Sequence, residues 1–288
     1  MTAAKRVNLA SGLYFIATPI GTARDITLRA LDILASADVL AAEDTRTLRR
    51  LMDIHGIALD GRTMVAYHDH NGASARPKIL RALADGKSVA YASEAGTPLV
   101  ADPGYQLGRA VTEEGYMVTA APGPSAVLAA LSVSGLATDA FFFAGFAPTS
   151  KGQRQSFLRG LAEVPGTLVF YESPKRVHKM LADLVEVYGE TREAVVAREL
   201  TKKFEEVRRG SLAELVAELD GVTLKGEVVV LVARGEVSAF DEKDTDILLK
   251  EAMDAGSLKD AVAQVVAATG QPRRQVYQAA LRLEKEGK

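Results

Sequence analysis

Ser88-Val89-Ala90-Tyr91-Ala92 is a short apolar run that passes directly into Ser93-Glu94-Ala95-Gly96-Thr97-Pro98 and then Ala101-Asp102-Pro103-Gly104. The first five residues read as a buried strand, the Gly/Pro cluster as a turn, and residues 103–114 as a helix with Pro103 near its first turn. Three further punctuated segments recur in the first half of the chain. They are Thr18-Pro19-Ile20-Gly21 with Asp25-Ile26-Thr27, Ala42-Glu43-Asp44-Thr45-Arg46, and Pro122-Gly123-Pro124-Ser125-Ala126. Three of the four follow an apolar run. An α/β domain places its ligand at such strand ends, so these loops are expected to converge on one site.

Outward from that stretch, strands are predicted at residues 13–17, 39–42, 64–66 and 117–120, alternating with helices at 27–37, 46–54, 73–83 and 125–133. Thr27 and Asp44 are candidate N-caps. The alternation predicts a mostly parallel sheet with helices on its faces. After a break at 134–139, which contains Gly135, a second set follows. It has strands at 141–145, 167–171, 193–198, 204–209 and 226–233, and helices at 153–161, 174–187 and 211–219. The near-continuous Val228-Val229-Val230-Leu231-Val232 is expected to be central, and the close spacing of strands at 193–209 predicts a mixed sheet. The tail from 241 reads as two or three helices broken at Gly256 and at Gly270-Gln271-Pro272.

The chain has 288 residues, 48% of them hydrophobic, and a formal net charge of −2. That is enough apolar content for a sizeable core. It does not make the molecule broadly basic, so a nucleic-acid substrate needs a local basic face. No apolar stretch reaches the roughly 20 residues of a spanning helix, and the N-terminus lacks a secretory apolar region. Cysteine is absent, which excludes disulfides and thiolate chemistry and fits a cytoplasmic protein. No Gly-x-x-x-x-Gly-Lys-Ser/Thr occurs, and no Gly-x-Gly-x-x-Gly follows the first strand. No metal site is expected. His68-Asp69-His70 is the densest ligand-like cluster, but it lacks a third ligand nearby and reads better as a polar strand-end loop.

Each remaining motif has two readings. The 93–104 loop offers backbone N–H groups to a carboxylate or phosphate, and it also suits a tight strand-to-helix turn. Ser125 serves a ligand or caps a helix. Glu43-Asp44-Thr45-Arg46, Tyr171-Glu172-Ser173-Pro174-Lys175-Arg176 and Arg198-Glu199-Leu200-Thr201-Lys202-Lys203 mix acids with bases at strand ends, as a site or as solvated loops.

Taken in order, these segments resemble the ribosomal RNA small subunit methyltransferase I family, a branch of the tetrapyrrole methylase superfamily. His68-Asp69-His70-Asn71, Phe170-Tyr171-Glu172-Ser173, Ala197-Arg198-Glu199-Leu200-Thr201-Lys202 and Lys225-Gly226-Glu227 extend the match. It runs from about Leu13 to Arg234, and the tail is also similar through Arg273-Arg274-Gln275-Val276-Tyr277. Two departures stand out. Thr22-Ala23 replaces the usual Asn-Leu, and Glu94 replaces the usual Asp.

The resemblance implies two α/β domains of the tetrapyrrole methylase type with a cofactor cleft between them, plus a small helical C-terminal tail. The corresponding divisions are 1–124, 125–238 and 239–288. It also implies S-adenosyl-L-methionine as cofactor, a homodimer, and methylation of the ribose 2′-hydroxyl of a cytidine (cytidine 1402 in standard rRNA numbering) in the decoding region of 16S rRNA, within the small ribosomal subunit. Two other readings share the fold. A tetrapyrrole-precursor methylase would carry a Gly-rich first loop, and a non-catalytic ribosome-assembly protein would bind RNA without methylating it.

A ribose hydroxyl is a poor nucleophile at neutral pH, so a base or a cation beside the developing alkoxide is expected. Glu172, Glu199 and Lys202 are the catalytic candidates. Cofactor contacts are expected from Pro19, Gly21, Glu94, Ala95, Gly96, Thr97, Pro122, Gly123, Ser125, Ala126, Tyr171, Arg198, Leu200 and Gly226. The RNA-binding candidates are Asp44, Arg46, His68, Lys151, Arg154, Arg176, Lys203, Arg273 and Arg274.

Overall fold

The computed structural model describes residues 4–68, 70–235, 242–269, 271 and 273–286. Asp69, Gly270 and Pro272 from the motifs above lie outside the described residues. The chain divides into two compact units, residues 1–233 and 234–288.

The first unit holds two five-stranded sheets. One contains β1 (Gly12–Ile16), β2 (Val39–Ala42), β3 (Thr63–Ala66), β4 (Ser88–Ala92) and β5 (Val118–Ala121), all parallel, in the order β3-β2-β4-β1-β5. Between successive strands run α1 (Leu28–Ser36), α2 (Thr45–Ile54), α3 (Gly72–Ala84) and α4 (Tyr105–Glu113). Alternation assigns the faces. Tyr14 and Ile16 enter one core cluster with Leu31, Leu34 and Met52, while Leu13 and Phe15 enter another with Ile79, Tyr91 and Leu107. Thr27 caps α1 by accepting from Ala30 N–H, and Asp44 caps α2 by accepting from Arg46 N–H.

The second sheet contains β6 (Phe141–Phe146), β7 (Thr167–Glu172), β8 (Glu193–Arg198), β9 (Glu206–Ser211) and β10 (Val228–Val232), in the order β6-β7-β10-β8-β9. Only β6 and β7 run parallel, so the sheet is mixed, with β10 in the middle. Val228, Val230 and Val232 face the cluster built with α6 (Lys151–Gly160), α7 (Val177–Tyr188) and α8 (Leu212–Leu219). Val229 and Leu231 face the opposite way, against Val127, Ala130 and Leu131 of α5 (Ala126–Ser134). Helix α5 therefore follows the last strand of the first sheet but packs on the second.

Two helix starts differ from expectation in a way that shapes the site. Helix α4 begins at Tyr105 rather than at 103, because Leu99 (φ 75°), Ala101 (φ 60°) and Gly104 (φ 124°) hold the preceding chain out of helical geometry. Helix α7 begins at Val177 rather than at 174, which leaves 173–176 as a loop.

The second unit is three helices: α9 (Glu242–Ala255), α10 (Leu258–Thr269) and α11 (Arg273–Glu286). They close on Leu249, Val262, Val265, Val276, Ala280 and Leu283.

Candidate active site

A cavity of about 360 Å³ lies where the strand-end loops of the two sheets meet. The first sheet contributes Ile20 after β1, Ala95, Gly96, Thr97, Val100, Ala101 and Asp102 after β4, and Ser125 and Ala126 after β5. The second contributes Phe146, Tyr171, Glu172, Ser173, Pro174 and Gly226 through Val229. Its size suits a nucleoside-sized ligand, and its wall combines apolar side chains with a few polar groups.

The loops are fixed to one another. Thr18 and Gly96 form an antiparallel bridge, each N–H donating to the other's carbonyl at 2.9 and 3.0 Å. The Thr97 hydroxyl donates to the Pro124 carbonyl at 2.8 Å. Across the sheets, Thr22 N–H donates to Thr201 Oγ1 at 3.2 Å, and the Thr22 hydroxyl donates to the Thr201 carbonyl. Thr22, one of the two departures from the family pattern, therefore joins the two halves of the first unit.

Of the catalytic candidates, only Glu172 reaches the cavity wall. It is 3% exposed. Its Oε1 accepts from Ser173 N–H at 2.7 Å. Its Oε2 lies 3.2 Å from Arg176 Nη2 but has no hydrogen-bond partner. Arg176 Nη2 donates instead to the carbonyls of Ala147 and Pro148. Burial raises the Glu172 carboxyl above its ordinary value, and the Ser173 amide and the Arg176 and Arg154 charges only partly oppose this.

Glu199 and Lys202 form a different arrangement. Lys202 Nζ donates to Glu199 Oε1 at 2.8 Å and to Glu227 Oε2 at 2.9 Å, and Glu227 N–H donates to Glu199 Oε1 at 3.1 Å. The Lys202 hydrogen bond holds Glu199 below its ordinary value. Burial pulls Lys202 down, but Glu199 and Glu227 outweigh it, so the ammonium is held above its usual range. Glu199 (φ 51°) and Thr201 (φ 63°) are both left-handed, which marks this turn as strained.

The cofactor candidates divide. Ala95, Gly96, Thr97, Ser125, Ala126, Tyr171 and Gly226 line the cavity. Burial pushes the Tyr171 hydroxyl up to about 12, with the Asp102 charge adding to it. The others serve neighbouring contacts. Pro19 lies between the bridged Thr18 and the lining Ile20. Gly21 packs where a Cβ would stand 2.5 Å from Lys202 Cγ, and Gly123 where one would stand 3.0 Å from Ala17 Cβ. Pro122 and Glu94 are exposed, and the Glu94 amide donates to Glu43 Oε2 at 3.1 Å. Arg198 pairs with Glu206 and donates to the Lys225 carbonyl. Leu200 is buried among Ile20, Ala197 and Val229.

Two RNA candidates need correction. Arg154 is 4% exposed, donates from Nε to Asp183 at 2.6 Å and from Nη1 to the Thr149 carbonyl at 2.9 Å. A guanidinium removed from water and paired in this way is structural and offers no charge to solvent. Arg176 likewise turns inward, to Ala147, Pro148 and Glu172. Lys151 remains exposed, pairing with Glu186, and Lys203 sits with its Nζ 5.5 Å from the Phe204 ring centre. Arg46 is exposed and holds Asp44, whose carboxyl it lowers to about 2. The buried Nδ1 of His68 has no hydrogen-bond partner. Arg273 and Arg274 are exposed in the first turn of α11.

Several cavity residues carried no individual signal in the sequence. Phe146 and Val100 are examples, since apolar residues in or beside strands look alike before the loops are brought together. Asp102 belongs to a quoted motif but had no role assigned from the residues alone.

This architecture, two sheets sharing a loop-built cavity, is that of a methylase. The sequence pattern described as Tetrapyrrole (Corrin/Porphyrin) Methylases matches residues 12–216, and the pattern described as the RsmI C-terminal HTH domain matches residues 239–284. The fold is shared with the methyltransferase CobJ (TM-score 0.60, 21% identity, 80% of this chain and 95% of that one). It is also shared with Uroporphyrin-III C-methyl transferase from Thermus thermophilus complexed with S-adenyl homocysteine (TM-score 0.54, 21% identity, 78% and 97%). A curated relative named Ribosomal RNA small subunit methyltransferase I from Mesorhizobium japonicum is 47% identical over 96% of this chain and 93% of its own length. One of the same name from Xylella fastidiosa is 42% identical over 92% and 97%. The chain belongs to the ribosomal RNA small subunit methyltransferase I family.

Proposed function

We propose that this chain transfers a methyl group from S-adenosyl-L-methionine to the ribose 2′-hydroxyl of a cytidine, cytidine 1402, in the decoding region of 16S rRNA within the small ribosomal subunit. The observation that carries the reading is the cavity, built from the loops of both sheets in a chain so similar to relatives of that name.

The residues fit the cofactor. Ile20, Val100, Val228 and Val229 offer apolar contact to an adenosine, and Tyr171 adds an aromatic ring with a protonated hydroxyl. Asp102, Glu172 and Glu227 are the charged residues of the lining, all acidic, which suits a ligand with an ammonium and a sulfonium. The buried Glu172 Oε2 accepts no hydrogen bond within the protein and has the Arg176 guanidinium 3.2 Å away as counter-charge. When bound, the cofactor supplies the methyl group on a sulfonium. The protein positions the reactants and excludes water.

Glu172 Oε2 is the proposed acceptor for the hydroxyl proton, because its raised proton affinity makes it a better base than an ordinary carboxylate. Glu199 and Lys202 serve as positioning residues: the first is held ionised and the second protonated by their mutual bonds. For RNA, Arg46, Lys151, Lys203, Arg273 and Arg274 supply exposed cations, with Asp44 orienting Arg46. His68 stands with Asn71 after β3, at the same strand-end side of the sheet.

The functional divisions are read as 1–124, 125–238 and 239–288. The packing of α5 on the second sheet supports the first of these boundaries. A homodimer is supported by exposed apolar residues: Leu128 and Val133 on α5, and Phe141 and Phe142 on β6. No helix among the described residues is long and apolar enough to cross a membrane, and the proposed substrate places the protein in the cytoplasm.

The test is radiolabelled transfer from S-adenosyl-L-methionine to small subunits purified from cells lacking the protein, followed by nucleoside mass spectrometry. A ribose-methylated cytidine at one decoding-region position is expected. Cofactor binding with no labelled RNA overturns the substrate assignment.

A further inference from the structure

Phe146 ends β6, lines the cavity, and is 57% exposed. A large aromatic ring left in water beside a polar site needs a reason, and the local backbone shows that its direction is built. Phe143 and Phe146 are three residues apart, so in a regular strand they face opposite sides of the sheet. Here the register against β7 shifts between Phe143 and Gly145. Gly145 adopts φ 67° with nothing within 4 Å of where its Cβ would be, so its role is conformational. The irregularity turns Phe146 to the same side as Phe143. Both rings meet Tyr171 edge-on, at 4.8 and 5.7 Å between centroids.

The chain just beyond is anchored from behind. Ala147 is buried, and the carbonyls of residues 147–149 accept from Arg154 and Arg176, the former locked to Asp183. The ring is therefore presented at the solvent side of the cavity on a rigid support, with one partner, Tyr171, against its edge. An exposed aromatic face beside a site for a nucleic-acid substrate is a platform for an unstacked base.

We propose that Phe146 is the surface on which a nucleobase of single-stranded RNA stacks, so that the neighbouring ribose is delivered to the cavity. This rests on the methyltransferase reading above and names how the acceptor is held. Its exposure favours a base arriving from solvent over the cofactor's adenine, for which Tyr171, Val228 and Val229 lie deeper.

The chain contains no tryptophan, so Phe146→Trp places a single fluorophore at this position. The full-length Phe146→Trp protein keeps an aromatic face at this position on which a base can stack. Its fluorescence is expected to be quenched by a short single-stranded cytidine-containing RNA, and not by S-adenosylhomocysteine alone. Phe146→Ala and Phe146→Leu are both expected to raise KM for unmethylated small subunits roughly 5- to 150-fold, with cofactor Kd unchanged. Quenching by S-adenosylhomocysteine alone, with a weakened cofactor Kd in Phe146→Ala, overturns the proposal in favour of the cofactor's adenine. Loss of self-association in Phe146→Ala overturns it in favour of a second copy covering the ring. Full activity in Phe146→Leu also overturns it. If wild type binds cofactor but transfers no methyl group, the methyltransferase reading falls, while quenching by RNA still decides the stacking.

Discussion

Gly226 packs against the carboxylate of Glu199 so closely that a Cβ at position 226 would stand 2.3 Å from Glu199 Cδ, and Gly226 itself has φ 89°. Both facts require glycine. Gly226→Ala is expected to lower stability by about 1–3 kcal/mol and to displace the Glu199–Lys202 pair. Because Gly226 also lines the cavity, cofactor affinity should fall with it. Thermal unfolding and calorimetric titration measure the two effects; an unchanged melting temperature would contradict this account of the turn.

Arg154 and Lys151 sit on the same helix but in opposite environments. Arg154→Ala leaves Asp183 buried without its counter-ion, holding only the Gln155 amide, and is expected to cost roughly 3–5 kcal/mol. Lys151→Ala breaks an exposed pair with Glu186 and is expected to cost less than about 1 kcal/mol. Denaturant titration of both variants separates them. A stable Arg154→Ala protein with weakened RNA binding would restore the surface role that its burial argues against.

Glu172 sets a pH dependence whose sign follows from its raised proton affinity. The folded carboxyl holds its proton to higher pH than the unfolded chain does, so stability falls as pH rises from the ordinary glutamate value through the raised one. Proton acceptance needs the ionised form, so activity falls as pH drops through that same raised value. Glu172→Gln is expected to remove the stability slope, and to reduce kcat roughly 100-fold or more if the carboxylate is the base. A pH–rate profile for wild type with no acidic limb above the usual carboxylate range would exclude that role.

Arg273 and Arg274 are exposed at the start of α11. The Arg273→Glu/Arg274→Glu double variant is expected to weaken binding to small subunits at least tenfold. It should also flatten the dependence of log affinity on log salt by about one to two. Cofactor affinity, measured on the same protein, should be unchanged. Unaltered binding at two salt concentrations would remove the helical tail from the RNA surface.

Much of the site's outline was legible along the chain because Gly and Pro mark where strands end and loops begin. The Thr97 loop and the Pro122–Ser125 turn are positions where backbone geometry alone restricts the residue type. The alternating faces of Val228 through Val232 were equally readable as a central strand. Arg154 was not legible. A basic residue on a helix reads as surface until the buried Asp183 one helix away is brought to it. Nor did any local signal separate Glu172 from Glu199: both are strand-end glutamates followed by basic residues.

The sequence by itself determined the two α/β sets, the mixed second sheet, the helical tail and the family, because strand periodicity, turn chemistry and ordered motifs are local or linear properties. Only the tertiary structure decided which charges are spent inside the protein and which face the cavity. It also decided that Thr22 bonds Thr201 and that the turn at Gly145 aims Phe146. Burial, proton affinity and the direction of a side chain depend on neighbours that only the fold brings together, 29 residues apart for Arg154 and Asp183 and 179 for Thr22 and Thr201, and no spacing along the chain encodes those contacts.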